Sequence, residues 1–166
     1  MRRRPGTTQT DRDVFATIYP ALRRFASSVR PPGVDPDDLV QEALARTIAT
    51  RSLTSLDNPL GYLRTSVLRV AMNLTRERRR RLARAIRLGP PPERTDDQYP
   101  SDLAELLRLS PRARAVLFLT VVEGCSYREA AEIVGCSEPA ARATASRALR
   151  ALKTALATAD AELGEV

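Results

Sequence analysis

Arginine is the residue whose number and placement could do most in this chain. Of 27 basic residues, 26 are arginine, and Lys153 is the single lysine. Arginine codons are GC-rich, so a GC-rich coding sequence is the expected source of most of that preference, but it would not explain the uneven placement of the charge. Ten arginines lie between Gly61 and Arg94 against two acids, Glu77 and Glu93. A guanidinium is a planar fork of donors that matches phosphate oxygens and the guanine edge in pairs. With a net charge of +7, the run points to an anionic partner, nucleic acid first and an anionic membrane surface second.

Residues for other chemistry are absent or wrongly spaced. There is no histidine. Cys125 and Cys136 stand eleven positions apart, and two thiols alone cannot complete a tetrahedral metal site. They read as small buried hydrophobes. Asp35, Asp37 and Asp38 crowd a helix start, where capping and the helix dipole account for them. No glycine-rich phosphate loop is present. The expectation is a protein without catalytic residues, metal or cofactor.

The elements that would position the arginines are helical throughout. Residues 126–150 read as a helix, a three-residue turn and a second helix. Ser126 and Glu129 have capping-box spacing, Ala131 is small enough for a close helix crossing, and Gly135 suits the turn through positive φ. Ser137 caps the second helix and Pro139 falls in its first turn. That helix is expected to carry Arg142, Thr144, Ser146, Arg147 and Arg150 toward solvent and to run to about residue 159. A helix-turn-helix with a basic, polar second helix suits the major groove of DNA.

Upstream, Val14, Phe15, Ile18, Leu22, Phe25 and Val29 recur at helical spacing, with Pro20 as a candidate kink. Asp35 caps a second helix over Leu39, Val40, Ala43, Leu44, Thr47 and Ile48, whose other face carries Gln41, Glu42 and Arg46. Asp57-Asn58-Pro59 starts a third, with Leu60, Leu63, Val67, Leu68, Val70, Ala71 and Leu74, which runs on through the arginine cluster to about Leu88. Residues 89–101 hold four prolines and read as a semi-stiff linker. The predicted fold is all-α: two small helical domains joined by a Pro-rich linker, the C-terminal one containing the helix-turn-helix. The boundaries are a disordered basic tail (1–10), an N-terminal domain (11–88), the linker (89–101), a C-terminal domain (102–159) and an acidic tail (160–166).

No apolar run approaches the ~18–20 residues of a membrane span. The basic Met1-Arg-Arg-Arg start lacks the apolar stretch of a signal peptide. No membrane insertion and a cytoplasmic location are expected.

Three blocks in order carry a resemblance: Asp35-Pro-Asp-Asp-Leu-Val-Gln-Glu-Ala-Leu44; the helix from Asn58-Pro-Leu-Gly-Tyr-Leu-Arg64 to Arg76-Glu-Arg-Arg-Arg-Arg81; and, beyond the linker, Leu109-Ser-Pro-Arg-Ala-Arg-Ala-Val-Leu-Phe-Leu119 leading into the helix-turn-helix. From about residue 11 to 157 the chain resembles a bacterial RNA polymerase sigma factor of the extracytoplasmic-function group.

The resemblance implies a docking role on core RNA polymerase for Asp38, Leu39, Gln41 and Glu42. It implies −10 recognition and melting by Tyr62, Arg64, Arg69, Asn73, Arg76, Arg78, Arg79 and Arg80. Where the family carries an asparagine after the aromatic residue, this chain has Arg69, and its asparagine comes at Asn73; the role falls to one or the other. The −35 element would be read by Ser137, Glu138, Ala140, Arg142, Thr144, Ser146 and Arg147. Against the family's Thr-Val-Lys-Ser-Arg, Ala140-Ala-Arg-Ala-Thr144 keeps a cation at Arg142 but puts Thr144 in place of the arginine. A different or weaker −35 reading is expected. The implied partners are core RNA polymerase, double-stranded promoter DNA, the melted −10 strand and an anti-sigma protein. The alternative is a helix-turn-helix regulator acting without polymerase docking, for which the chain offers no obvious dimer helix or ligand pocket. A nucleic-acid enzyme has less support still.

Overall fold

The computed structural model describes residues 9–88 and 101–163, with side chains for 9–87 and 105–157. The expected basic tail falls mostly outside these residues. So do nearly all of the Pro-rich linker and the end of the acidic tail.

Helix α1 (Asp11–Val29) starts at a capping box in which Asp13 N–H donates to Thr10 Oγ1 at 3.3 Å and Thr10 N–H donates to Asp13 Oδ2 at 3.0 Å. It runs on through Pro20. Pro20 and Ala16 are both exposed, so water can take the Ala16 carbonyl that the proline leaves without a donor. Helix α2 (Pro36–Ile48) is capped by Asp35, which accepts from Asp37 N–H at 2.8 Å. It buries Leu39, Val40, Ala43 and Thr47. Ile48, expected at the end of that stripe, is 54% exposed, because the helix ends there.

A 3₁₀ turn (Leu53–Ser55) leads to α3 (Pro59–Leu88). Asn58 caps α3 by accepting from Gly61 N–H at 2.9 Å. The first half of α3 buries Leu63, Val67, Leu68, Val70 and Ala71. From Arg76 onward the helix is almost entirely exposed, as its charge requires.

Helices α4 (Ser101–Arg108) and α5 (Pro111–Leu117) follow, the latter capped by Ser110. Sequence periodicity predicts that α5 continues unchanged to Val122. Instead Phe118–Val122 form a π-helical turn, closed by Glu123 N–H donating to Phe118 O at 3.0 Å. The widened turn keeps Leu119 fully buried and leaves Val121 and Val122 64% and 70% exposed.

Helix α6 (Tyr127–Val134) has the predicted Ser126–Glu129 capping box. It stops at Gly135, whose φ of 72° is left-handed. Helix α7 (Glu138–Leu163) then packs through Ala141, Ala145 and Ala148, all buried. These small side chains let it lie close against the rest of the unit. No strand occurs among the described residues.

The helices form two units, α1–α3 and α4–α7. The two pack directly against each other where α5 and α6 meet α1 and α3.

Candidate polymerase-docking and nucleic-acid interfaces

Helix α2 presents Asp38, Gln41 and Glu42 to solvent. Glu42 is paired with Arg46 one turn on, at 2.6 Å. Leu39 departs from its expected place in this surface: it is 1% exposed and belongs to the core. It anchors the helix whose other face is offered. The neighbouring Asp37 is turned back onto α1. It accepts from Tyr19 Oη at 2.7 Å and from Arg23 Nε at 3.0 Å. These contacts, Tyr19 first, hold its carboxyl below the usual carboxylate range.

On α3, Tyr62, Arg69, Asn73, Arg76 and Arg80 follow one another at steps of seven, four, three and four residues and so share one face. Arg69, Asn73, Arg76 and Arg80 are exposed. Tyr62 is half-buried, and the Arg51 guanidinium stands 5.1 Å from its ring centroid. That cation covers a ring face on which a base would stack, a contact worth about 1 kcal/mol. Arg51 was not among the expected residues, because it comes from the loop after α2. Arg78 donates to the Pro32 carbonyl. Arg76 and Arg79 line a groove completed from the other unit by Arg112.

Arg64 does not lie on this surface. It is 6% exposed, packed between the units, and ion-paired with Glu123. The sequence holds a signal for this. Leu60, Arg64, Val67 and Ala71 form one i, i+4, i+7, i+11 row, so Arg64 occupies a place in the apolar stripe.

In the helix-turn-helix, Ser137 accepts from Ala140 N–H at 3.3 Å and so spends its oxygen on the cap. Glu138 accepts from Arg142 Nη2 at 2.9 Å, and the Arg142 guanidinium lies 4.8 Å from the Tyr127 ring centroid. Arg142 is therefore held on both sides while remaining exposed. Ala140, Ser146 and Arg147 are exposed. Thr144, expected to point to solvent, is half-buried in a groove between α7 and α5 that Arg108, Ser110, Arg112, Cys136 and Arg147 also line. Arg108 and Arg112 were not foreseen as part of this basic edge. They belong to a different helix pair and meet Arg147 only through folding.

No group of histidine, cysteine or acidic side chains suited to a metal occurs among the described residues. Cys125 and Cys136 are free and half-buried rather than fully buried. Burial, then the charge of Glu123, pushes the Cys125 thiol up. No helix among the described residues is long and apolar enough to cross a membrane.

This arrangement defines a class: a helical protein with an acidic-polar helix, an arginine-rich helix and a helix-turn-helix. Residues 14–81 match the model of sigma-70 region 2, and residues 103–152 match that of sigma-70 region 4. The chain is 33% identical to the RNA polymerase sigma-E factor of Streptomyces antibioticus over 89% of this chain and 85% of that protein. It is 29% identical to the ECF RNA polymerase sigma factor EcfG of Rhodopseudomonas palustris (strain TIE-1), over 93% and 90% of the two chains. The fold also resembles that of the sigma factor RpoE of Bartonella quintana, solved with the anti-sigma factor NepR. That likeness has a TM-score of 0.66 and 24% identity, over 87% of this chain and 95% of that one. The protein belongs to the sigma-70 family of RNA polymerase sigma factors, in the extracytoplasmic-function group. It is a factor that directs transcription initiation.

Proposed function

We propose a division of labour over the surface of this sigma factor. The acidic face of α2 (Asp38, Gln41, Glu42) docks on core RNA polymerase. The α3 row (Tyr62, Arg69, Asn73, Arg76, Arg80), with Arg78 and Arg79, handles the −10 element and its melted strand. Arg142, Ser146 and Arg147 of α7, with Thr144 at the groove edge, read the −35 element. Arg64 joins the −10 surface only when the two units separate. The proposed domains are 11–88 and 102–159, although α4 begins at Ser101 and α7 runs on to Leu163, into the expected acidic tail. The protein does no covalent chemistry of its own and works in the cytoplasm, where its polymerase is.

One observation carries this reading. A chain of net charge +7 exposes an acidic-polar patch on α2 and exposed arginines on α3 and α7. An acidic patch would repel DNA and suits a basic protein partner, while the arginines suit phosphate and base edges. An anti-sigma partner is part of the proposal, supported by the neighbour solved with NepR. The test is a pull-down of core polymerase by the parent chain and by the Asp38→Ala/Glu42→Ala variant. The parent is expected to retain polymerase and the variant to lose at least about tenfold in affinity, the size of one buried charged contact. Equal retention of the two would remove α2 from the docking surface.

A further inference from the structure

Every group that holds Arg64 lies off the surface where that residue would meet DNA. Its guanidinium donates from Nη2 to Glu123 Oε2, beyond the π-helical turn of the other unit. Its Cζ stands 5.7 Å from the ring centroid of Phe25 in α1. The two paired side chains are 8% and 17% exposed. Arg64 Nε is buried with no hydrogen-bond partner.

The same junction has further ties that involve no carboxylate. Thr65 Oγ1 donates to the Ile133 carbonyl at 2.9 Å. Arg114 Nη1 donates to the carbonyls of Ser28 and Arg30 at 3.1 and 2.8 Å. Phe25 and Phe118 meet edge to face at 5.9 Å between centroids.

A buried ion pair adds little against an apolar pair of the same size, yet losing one partner is costly because the other charge stays behind in low dielectric. Such a pair gates a junction well. It holds while both members are present and gives way when one finds another counter-charge. A guanidinium binds a carboxylate and a phosphate through the same fork of donors.

We propose that Glu123 stands in for a nucleic-acid phosphate on Arg64. Its carboxylate clasps the two units shut in the free chain and withdraws Arg64 from the −10 surface. When the clasp opens, Arg64 exchanges a carboxylate for a phosphodiester and Glu123 becomes hydrated. No covalent step is involved. Whatever binds the open arrangement better than the closed one shifts the balance. The inference rests on the assignment of Arg64 to the −10 surface in the preceding section.

Glu123→Gln tests it, because it removes the charge, keeps the shape and changes no residue proposed to contact polymerase or DNA, acting on Arg64 only through the ion pair. The full chain without polymerase is measured by small-angle scattering, circular dichroism and anisotropy of a fluorescent oligothymidylate. The variant is expected to keep its helicity, increase its radius of gyration and bind the oligonucleotide at least about tenfold more tightly, a fraction of the cost of leaving one buried charge unpaired. Arg64→Gln added to Glu123→Gln removes most of that gain. The exchanged pair, Arg64→Glu with Glu123→Arg, returns to the compact radius. A Glu123→Gln chain with intact helicity, unchanged radius and unchanged affinity overturns the clasp. If Glu123→Gln loses helicity, the exchanged pair decides. Recovery of helicity and compactness supports the clasp, and failure to recover overturns it. Run-off transcription by the parent with core polymerase is a separate readout, so the clasp can fail while the sigma assignment stands.

Discussion

Arg142, proposed to read the −35 element, is held in place before any partner binds. Glu138 one turn back and the Tyr127 ring hold its guanidinium without covering it, so less freedom is lost on binding. Arg142→Ala is expected to weaken binding of −35 duplex by about tenfold and relax base preference at one position, the scale of a bidentate base contact of ~1–3 kcal/mol. Glu138→Gln keeps the cation and removes its tether, so its effect is expected to be smaller. Anisotropy titrations on matched and mismatched duplexes check both. At the acid end, Asp37 has its carboxyl pKa lowered by the Tyr19 hydroxyl and then Arg23. A lowered folded pKa stabilises the fold above the unfolded carboxylate value and loses that contribution as pH falls through the folded one. Asp37→Asn should therefore flatten the acid limb of stability, read as urea midpoints measured down through the carboxylate range. An unchanged acid limb would remove Asp37 as a contributor. Arg114 is the opposite case. Burial, then the Arg30 charge, pushes its pKa down to about 10, so it stays charged at neutral pH, stabilised by two carbonyls. The exposed arginines were legible from charge alone. The burial of Arg64 and Arg114 was not legible from charge, because each stands among other arginines that do face water; only the place of Arg64 in the apolar row of α3 marks it.

Helix starts and stops were the most legible level. Asp35, Asn58, Ser110, Ser126 and Ser137 each accept the backbone N–H that the capping pattern predicts. Gly135 ends α6 in the left-handed conformation that β-carbons oppose. Gly135→Ala is expected to cost about 1–2 kcal/mol, seen as a lower denaturation midpoint, although space for the methyl group is open. Gly61→Ala works through a different cause. A β-carbon there would stand 2.6 Å from Asn58 Nδ2, so it displaces the cap of α3. Loss of that cap is worth about 1 kcal/mol. The π-helical turn was not legible. Phe118–Val122 is as apolar as an ordinary helical continuation, and one extra residue in a turn leaves no mark on composition. It matters because it sets the direction in which Glu123 leaves α5.

Across the whole molecule, the sequence announced two helical units but not their contact. A tether rich in proline says only that the units are joined. Which faces meet depends on long-range packing of Phe25 against Phe118 and of Arg64 against Glu123. Their pairing across the junction has no local pattern. The consequence is a chain whose exposed arginines, proposed to meet DNA, are divided between two bodies. Each body alone gives modest contacts, and joining them on one scaffold raises the effective concentration of the second contact. Promoter binding by the assembled complex should be steeper in salt than binding by the free chain, since more phosphates are neutralised at once. The most direct measurement is run-off transcription by core RNA polymerase reconstituted with this chain on a library of promoter-length fragments. The expected result is a set of discrete start sites that depend on the chain, share two spaced elements, and disappear with Asp38→Ala/Glu42→Ala. Polymerase that initiates no better with the chain than without it, while still responding to another sigma factor, would contradict the account.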